Sequence, residues 1–207
     1  MQKAARFYTI GEASSNTESL WFVLHGYGQL ANYFIRHFEA IDNGKRLIVA
    51  PEALSRFYVG GEYKRVGASW MTKVERADEV EDYLHYLNQV ADHITRSFAG
   101  PVPPITVLGF SQGATTASRW VTLGNLPAKK LILWAGTVAH DLDFDKYTPT
   151  LNALNPSFVV GDKDYYITPE RLEQEKAFLQ SHNLKVDFIP FAGEHRLNKE
   201  VLQSIAD

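Results

Sequence analysis

A Gly-x-Ser-x-Gly motif at residues 109–113, with Ser111 at its centre, is the pattern that points most directly to chemistry. It follows the apolar run Ile105 to Phe110 and precedes a stretch with helical periodicity. A strand that turns sharply into a helix holds such a serine in a strained conformation, and glycines two residues away prevent a collision. The motif therefore predicts a nucleophilic serine, the alternative being a serine that only caps the helix.

An acid and a base follow Ser111 in the order that such a nucleophile needs. A serine hydroxyl is weakly nucleophilic near neutral pH, so a base must remove its proton and an acid must orient that base. Asp164 and His195 each follow a predicted strand, which places both on loops at the carboxyl ends of strands. Asp162 is the rival acid, but Asp164 lies farther into the loop. His140 is the rival base, although it precedes the acid in sequence.

The tetrahedral oxyanion formed on attack needs two positioned N–H donors. The backbone of Gln112, next to the serine, is the first predicted donor. The second is the backbone of Tyr27, in a glycine-rich loop that follows a predicted strand, unless that loop is a simple turn. His25, at the end of the same strand, is expected to be structural rather than catalytic.

The elements that must position these residues alternate between strands and helices. Continuously apolar strands joined by helices indicate a mostly parallel, doubly wound α/β sheet with helices on both faces. The predicted strands are Phe7 to Ile10, Leu20 to His25, Arg46 to Pro51, Ile105 to Phe110, Lys130 to Trp134, Phe158 to Val160 and Val186 to Pro190. The predicted helices are Ala77 to Phe98, a helix from just after Ser111 to near Gly124, Thr168-Pro169 to His182, and a short one after Leu197.

The chain shows no linker or repeat, so we expect one α/β domain over residues 1–207. Only roughly 20 residues separate the strands that end near Ala135 and start at Phe158, too few for a large cap domain. The absence of cysteine excludes thiolate chemistry, and a formal net charge of −3 argues against nucleic-acid binding. We also expect no metal or other cofactor, no integral membrane association and a cytoplasmic location. The sequence does not predict the oligomeric state.

Four segments together resemble the phospholipase/carboxylesterase branch of the α/β-hydrolases, which includes the acyl-protein thioesterases. They are LHGYGQ at 24–29, GFSQG at 109–113, GDKDYYI at 161–167 and FAGEHRL at 191–197. The resemblance implies an α/β-hydrolase fold, Ser111 as nucleophile, His195 as base, Asp164 as acid, and oxyanion donors at Tyr27 and Gln112. Glu194, where many relatives have glycine, makes a transfer of substrate preference unsafe.

The predicted activity is hydrolysis of a small-molecule carboxylic ester or thioester through an acyl-enzyme. The aromatic-rich segment from Leu54 to Thr72 supplies Tyr58, Trp70 and Met71 as predicted substrate contacts, the alternative being that they pack this segment onto the body of the protein. Competing hypotheses are a peptidase, a lactone hydrolase, and a hydrolase-fold protein that binds a small ligand without turnover. The chemical nature of the acyl and alcohol groups stays open.

Overall fold

A computed structural model describes residues 4–206, so residues 1–3 and 207 of the predicted domain lie outside the described residues. The strands are β1 (Phe7–Ile10), β2 (Ser19–Leu24), β3 (Arg46–Pro51), β4 (Ser55–Val59), β5 (Arg65–Ser69), β6 (Ile105–Phe110), β7 (Lys130–Trp134), β8 (Ser157–Gly161) and β9 (Asp187–Phe191). The helices are α1 (Ala31–Phe34), which continues into a 3₁₀ helix (Ile35–Ile41), α2 (Arg76–Thr95), α3 (Gln112–Thr122), α4 (Phe144–Ala153), α5 (Pro169–Ser181) and α6 (Lys199–Ala206).

Seven strands form one sheet in the order β1-β3-β2-β6-β7-β8-β9. The β1–β3 pair is antiparallel and the remaining pairs are parallel. Each strand predicted from the sequence is present, with bounds that differ by a single residue at most at either end. The predicted mostly parallel, doubly wound sheet is therefore confirmed.

Successive side chains of the central strands point to opposite faces of the sheet, so the core consists of two clusters, one on each face. Phe22 and Leu24 pack with α2, α3, α4 and α5, whereas Trp21 and Val23 pack with α1, the 3₁₀ helix and α6. Both faces of these strands are covered, which explains why the strands read as continuous apolar runs rather than as an apolar-polar alternation. The sheet is thus a rigid platform whose carboxyl edge carries the loops.

The segment from Leu54 to Thr72, predicted as a loop, contains the antiparallel hairpin β4–β5. A two-stranded ribbon with one exposed face carries a weak periodic signal, so sequence patterns give little indication of it. Helix α4 was also missed, because Pro149 interrupts its helical pattern. Helix α2 ends at Thr95 rather than at the predicted Phe98.

Between β7 and β8 the chain forms only α4, which agrees with the expectation that no large cap domain is inserted there. The carboxyl edge of the sheet is consequently accessible from this side. None of the helices in residues 4–206 is both long and apolar enough to span a membrane.

Candidate active site

Ser111 lies at the turn between β6 and α3, with backbone angles φ 54° and ψ −118°. A positive φ is unfavourable for a residue with a Cβ, so the surrounding structure must hold the turn in place. The Ser111 amide donates to the Trp134 carbonyl at 2.8 Å, and this bond ties the turn to β7. A Cβ at Gly109 or Gly113 would come within 2.1 or 2.2 Å of a backbone oxygen, so glycine is required at both positions.

The imidazole of His195 faces the serine hydroxyl from the loop after β9. Its Nε2 lies 3.0 Å from Ser111 Oγ and its Nδ1 lies 2.7 Å from Asp164 Oδ2. An ionised carboxylate only accepts hydrogen bonds, so Nδ1 donates to Asp164 and the lone pair on Nε2 is directed at the hydroxyl. The ring is packed edge-on against Tyr166, at a centroid distance of 4.6 Å.

Asp164 is buried, with 4% of its surface exposed, and it sits in the loop after β8. Its Oδ1 accepts hydrogen bonds from the amides of Tyr166 and Ile167, at 2.9 and 3.1 Å, which leaves Oδ2 for His195. The rival acid, Asp162, accepts from the Gly193 amide at 2.9 Å and so holds the neighbouring loop. The structure thus brings Ser111, His195 and Asp164 together and assigns Asp162 to loop anchoring.

Gln112 is the first residue of α3, so its amide belongs to the unpaired N–H groups of a helix amino terminus. Its side chain is a clamp on the segment after β5. Nε2 donates to the Met71 carbonyl at 2.8 Å, and Oε1 accepts from the Trp70 amide at 3.1 Å. This clamp fixes the start of α3 against the hairpin, and therefore the direction of the Gln112 amide.

The loop that carries Tyr27 is braced from both sides. The Gln29 side chain accepts from the Gly26 amide at 2.7 Å, and the Gly28 amide donates to the Ala68 carbonyl of β5 at 2.8 Å. Tyr27 itself is exposed, with its ring 4.9 Å from that of Phe57 on β4. The hairpin thus supports the predicted oxyanion loop.

His25 is fully buried and forms part of this support. Its Nε2 accepts from the Ala53 amide at 3.0 Å, so the proton is on Nδ1, which donates to the Gly26 carbonyl at 2.8 Å. Burial lowers the pKa of His25 from 6.5 to about 4, so the ring is neutral at pH 7. Its location agrees with the structural role expected for it.

A cavity of about 950 Å³ opens beside Ser111. Both apolar and hydrogen-bonding side chains line it. The residues that form its wall are Gly26, Tyr27, Gln29, Phe110, Ser111, Gln112, Thr115, Ala135, Gly136, Thr137, His140, Phe158, Tyr166, Ile167, Arg171, Gln174, Glu175, Phe178 and His195. A space of this size holds a small organic molecule.

The model of the serine hydrolase (FSH1) family matches residues 17–200. This chain belongs to the serine hydrolase (FSH1) family. It is therefore a serine hydrolase, as the sequence predicted. A comparison with curated proteins finds no significant match.

Solved structures share the fold of this serine hydrolase at low identity. Acyl-protein thioesterase 2 from Zea mays is 14% identical, with 98% of this chain and 96% of that chain covered and a TM-score of 0.72. A phospholipase/carboxylesterase from Dyadobacter fermentans is 18% identical, with 100% and 98% covered and a TM-score of 0.67. Esterase PE8 is 21% identical, with 98% and 96% covered and a TM-score of 0.68. These folds and the family match agree with the predicted resemblance to the phospholipase/carboxylesterase branch.

The three predicted substrate contacts of the serine hydrolase lie outside the cavity wall. Tyr58 is half exposed on the hairpin, and its ring lies tilted beside that of Tyr63. Trp70 is buried, with its indole N–H donating to the His25 carbonyl at 2.8 Å, and Met71 packs against the core. Trp70 and Met71, which follow the hairpin, therefore pack into the body of the protein, whereas Tyr58 stays exposed on the hairpin. Their role as substrate contacts stays a prediction.

A second polar group in the cavity wall of the hydrolase was not predicted from the sequence: Glu175 contacts Thr137 and His140, and Arg171 lies in the same wall. His140 was considered only as a rival base, yet its Nε2 faces Glu175 Oε2 at 2.9 Å rather than Ser111. Arg171 and Glu175 are four residues apart on α5, which was the available signal for a shared helix face. Thr137 and His140 lie in the loop after β7, which is distant in sequence from α5, so no sequence pattern indicated their contact with Glu175.

Proposed function

We propose that this serine hydrolase cleaves carboxylic esters or thioesters through an acyl-enzyme on Ser111. The observation that carries the proposal is the continuous line of hydrogen bonds from Ser111 Oγ through His195 to buried Asp164, at 3.0 and 2.7 Å, beside a cavity. A serine, an imidazole and a buried carboxylate in this order form a nucleophile, a general base and an orienting acid.

Acylation begins when Ser111 Oγ attacks the carbonyl carbon and its proton passes to His195 Nε2. Asp164 then stabilises the imidazolium through Nδ1. The carbonyl π bond becomes the oxyanion lone pair, which accepts from the backbone N–H groups of Tyr27 and Gln112. Collapse of this intermediate breaks the bond to the leaving oxygen or sulfur, which takes the proton from His195.

Deacylation reverses these roles with water as the nucleophile. Water attacks the acyl carbon while His195 accepts its proton, and collapse returns that proton to Ser111 Oγ as the carboxylic acid is released. No oxidant or other co-reactant is required for this cycle. The proposed substrate is consequently a small-molecule ester or thioester, and the only other reactant is water.

The proposed oxyanion site depends on parts that come from distant segments. The Gln112 side chain clamps residues 70 and 71, and β5 braces the Tyr27 loop. Trp70 and Met71 therefore act in this proposal as supports of the two N–H donors. A donor that is held in place before the reaction stabilises developing charge without reorganisation, and loss of one such donor typically costs a factor of about a hundred to a thousand in kcat.

A burst assay tests the proposal. Wild type and Ser111→Ala are mixed with the 4-nitrophenyl esters of acetate, butyrate and octanoate, and acylation is followed by intact mass. We expect a burst and an acyl adduct on Ser111 in the wild type, and neither in the variant, with folding of both checked by circular dichroism. Hydrolysis by folded Ser111→Ala at the wild-type rate would overturn the proposal. Comparing the turnover of a lactone with that of its open-chain ester distinguishes a lactone hydrolase from an esterase.

A further inference from the structure

A second, fully positioned imidazole lines the cavity that contains Ser111. His140 stacks on the Phe178 ring, with centroids 3.9 Å apart and planes 22° from parallel. Its Nε2 is held by Glu175 Oε2 at 2.9 Å. The next residue, Asp141, is fixed by the buried Arg119 guanidinium at 2.7 Å, so the loop itself is anchored to α3. Nδ1 is the ring nitrogen that remains for a ligand, and with Nε2 donating to Glu175 it accepts a hydrogen bond in the neutral ring and donates one in the imidazolium.

Glu175 is the only carboxylate among the residues that line the cavity, and its oxygens are already engaged. Oε1 accepts from the Thr137 hydroxyl and Oε2 from His140. Burial raises the pKa of Glu175, while the neighbouring His140 opposes that rise. The carboxylate therefore serves as an internal anchor for His140 and does not present free acceptors to the cavity.

Arg171 brings a permanent positive charge to the same wall. It lies one helical turn before Glu175 on α5, and its Nη1 donates to the Tyr166 carbonyl at 2.8 Å, which orients the guanidinium. A guanidinium has five N–H donors, so this single bond leaves donors for a ligand. Gln174 adjoins it in the wall and adds an amide. The polar part of the cavity accordingly offers unused N–H donors from Arg171 and Gln174, and the Glu175 carboxylate that balances the charge of Arg171 is already engaged by Thr137 and His140.

Apolar side chains complete the cavity that contains Ser111 and Arg171. Phe158, Ile167 and Phe178 contribute apolar surface to its wall. Such a lining suits a methylene chain, while the donors suit an anion. A ligand that meets both demands has an apolar linker between an ester and a negatively charged group.

We propose that Arg171 forms an anion subsite for a carboxylate carried by the substrate, to which His140 donates from Nδ1 when its ring is an imidazolium, and this makes monoesters of aliphatic dicarboxylic acids the preferred class. This inference rests on the proposed esterase function, because the ester end must reach Ser111. Arg171 and His140 are specificity-determining residues in this assignment. Glu175 is a positioning residue that acts through His140.

Two probe esters that differ in whether the remote carboxylate is free or methylated test the assignment. They are the mono(4-nitrophenyl) ester of hexanedioic acid and its neutral methyl 4-nitrophenyl diester. For wild type we expect kcat/KM to favour the anionic probe by about tenfold or more, with the difference mainly in KM. Arg171→Met should bring the ratio close to one. Lys176→Met, which removes the same charge from α5 outside the cavity, should keep the wild-type ratio.

A ratio near one in the wild type, or equal ratios in Arg171→Met and Lys176→Met, would overturn the subsite. Titration calorimetry separates this failure from failure of the esterase function. Ser111→Ala should bind monomethyl hexanedioate about tenfold more tightly than dimethyl hexanedioate, and Arg171→Met in that background should remove the difference. If the wild type has no esterase activity, this binding result still supports the subsite while the proposed function is overturned. Equal binding of both probes overturns the subsite whatever the esterase activity.

Discussion

The two imidazoles that line the cavity are each paired with a carboxylate, and they differ in what the second ring nitrogen contacts. His195 Nδ1 pairs with Asp164 at 2.7 Å, and His140 Nε2 pairs with Glu175 at 2.9 Å. Only His195 has its other nitrogen within hydrogen-bond distance of a serine hydroxyl. A histidine held by an acid is therefore insufficient to define a general base, because the nucleophile must also lie within reach.

The two carboxylates are also held differently. Asp164 accepts from two backbone amides in the loop after β8, which fixes it without other side chains. Glu175 lies on helix α5 and depends on side chains, Thr137 and His140, for its hydrogen bonds. A pair built on backbone donors suits a role that tolerates little displacement, whereas a pair built on side chains suits recognition of a substrate group.

The largest expected effect separates the two histidines. His195→Asn should lower kcat/KM for 4-nitrophenyl butyrate by a factor on the order of 10⁵, because the serine loses its base. His140→Asn should lower it by less than about tenfold, since hydrogen-bond loss in a binding site is modest. Initial rates with both purified variants test this. Equal losses would contradict the different roles of the two imidazoles and place both in the chemistry.

The next effect separates the two aspartates of one loop. Asp164→Asn should lower kcat by a factor on the order of 10⁴, because an amide no longer selects the productive tautomer of His195. Asp162→Asn is the matched control, and it should cost mainly about 1 kcal/mol of stability through its bond to the Gly193 amide. Steady-state kinetics and urea unfolding of both variants measure the two effects. A larger kinetic loss in Asp162→Asn would exchange their roles.

A third imidazole, His25, differs from both because it is buried without a carboxylate hydrogen-bonded to it. Its pKa is lowered from 6.5 to about 4, so between these pH values the unfolded chain binds a proton that the folded protein does not. The contribution of neutral His25 to stability is therefore fully present above pH 6.5 and is lost as pH falls toward 4. We expect the free energy of unfolding to drop over this window by on the order of 3 kcal/mol from His25. Urea unfolding at several pH values measures it.

His25→Gln should flatten this part of the pH profile, whereas His85→Gln, a change at an exposed position on α2, should leave it as in the wild type. The slope against pH is the readout, so a general loss of stability in the buried variant does not obscure it. An unchanged slope in folded His25→Gln would assign the acid sensitivity to other groups.

The smallest expected effect concerns the hydroxyl that supports Glu175. Thr137→Val removes one donor from the buried carboxylate and should lower the free energy of unfolding by about 1 kcal/mol at pH 8. Because the pKa of Glu175 is raised, its protonated form is favoured as pH falls toward 4.5. A protonated carboxyl group depends less on the Thr137 hydroxyl donor than a carboxylate does. The cost of Thr137→Val should therefore shrink on acidification. The shrinkage should vanish in a Glu175→Gln background, and a cost that grows at low pH would contradict this account.

Most of the fold was predictable because the strands of a sheet covered on both faces are short apolar runs. The same logic placed Ser111, Asp164 and His195 together, since loops after parallel strands meet at one edge of the sheet. The hairpin β4–β5 was not predictable in this way, because it lies outside the main sheet. Aromatic content alone did not show that Trp70 faces the core, at 2% exposure, rather than a ligand.

The turn at Ser111, the order of acid and base after it, and the doubly wound sheet follow from the amino-acid sequence alone. These features depend on local sterics and on hydrophobic periodicity, which a linear pattern records directly. The shape of the cavity and the contacts of its other polar residues depend on the tertiary structure. His140 and Glu175 are 35 residues apart and belong to different elements, so their contact exists only after the helices have packed on the sheet.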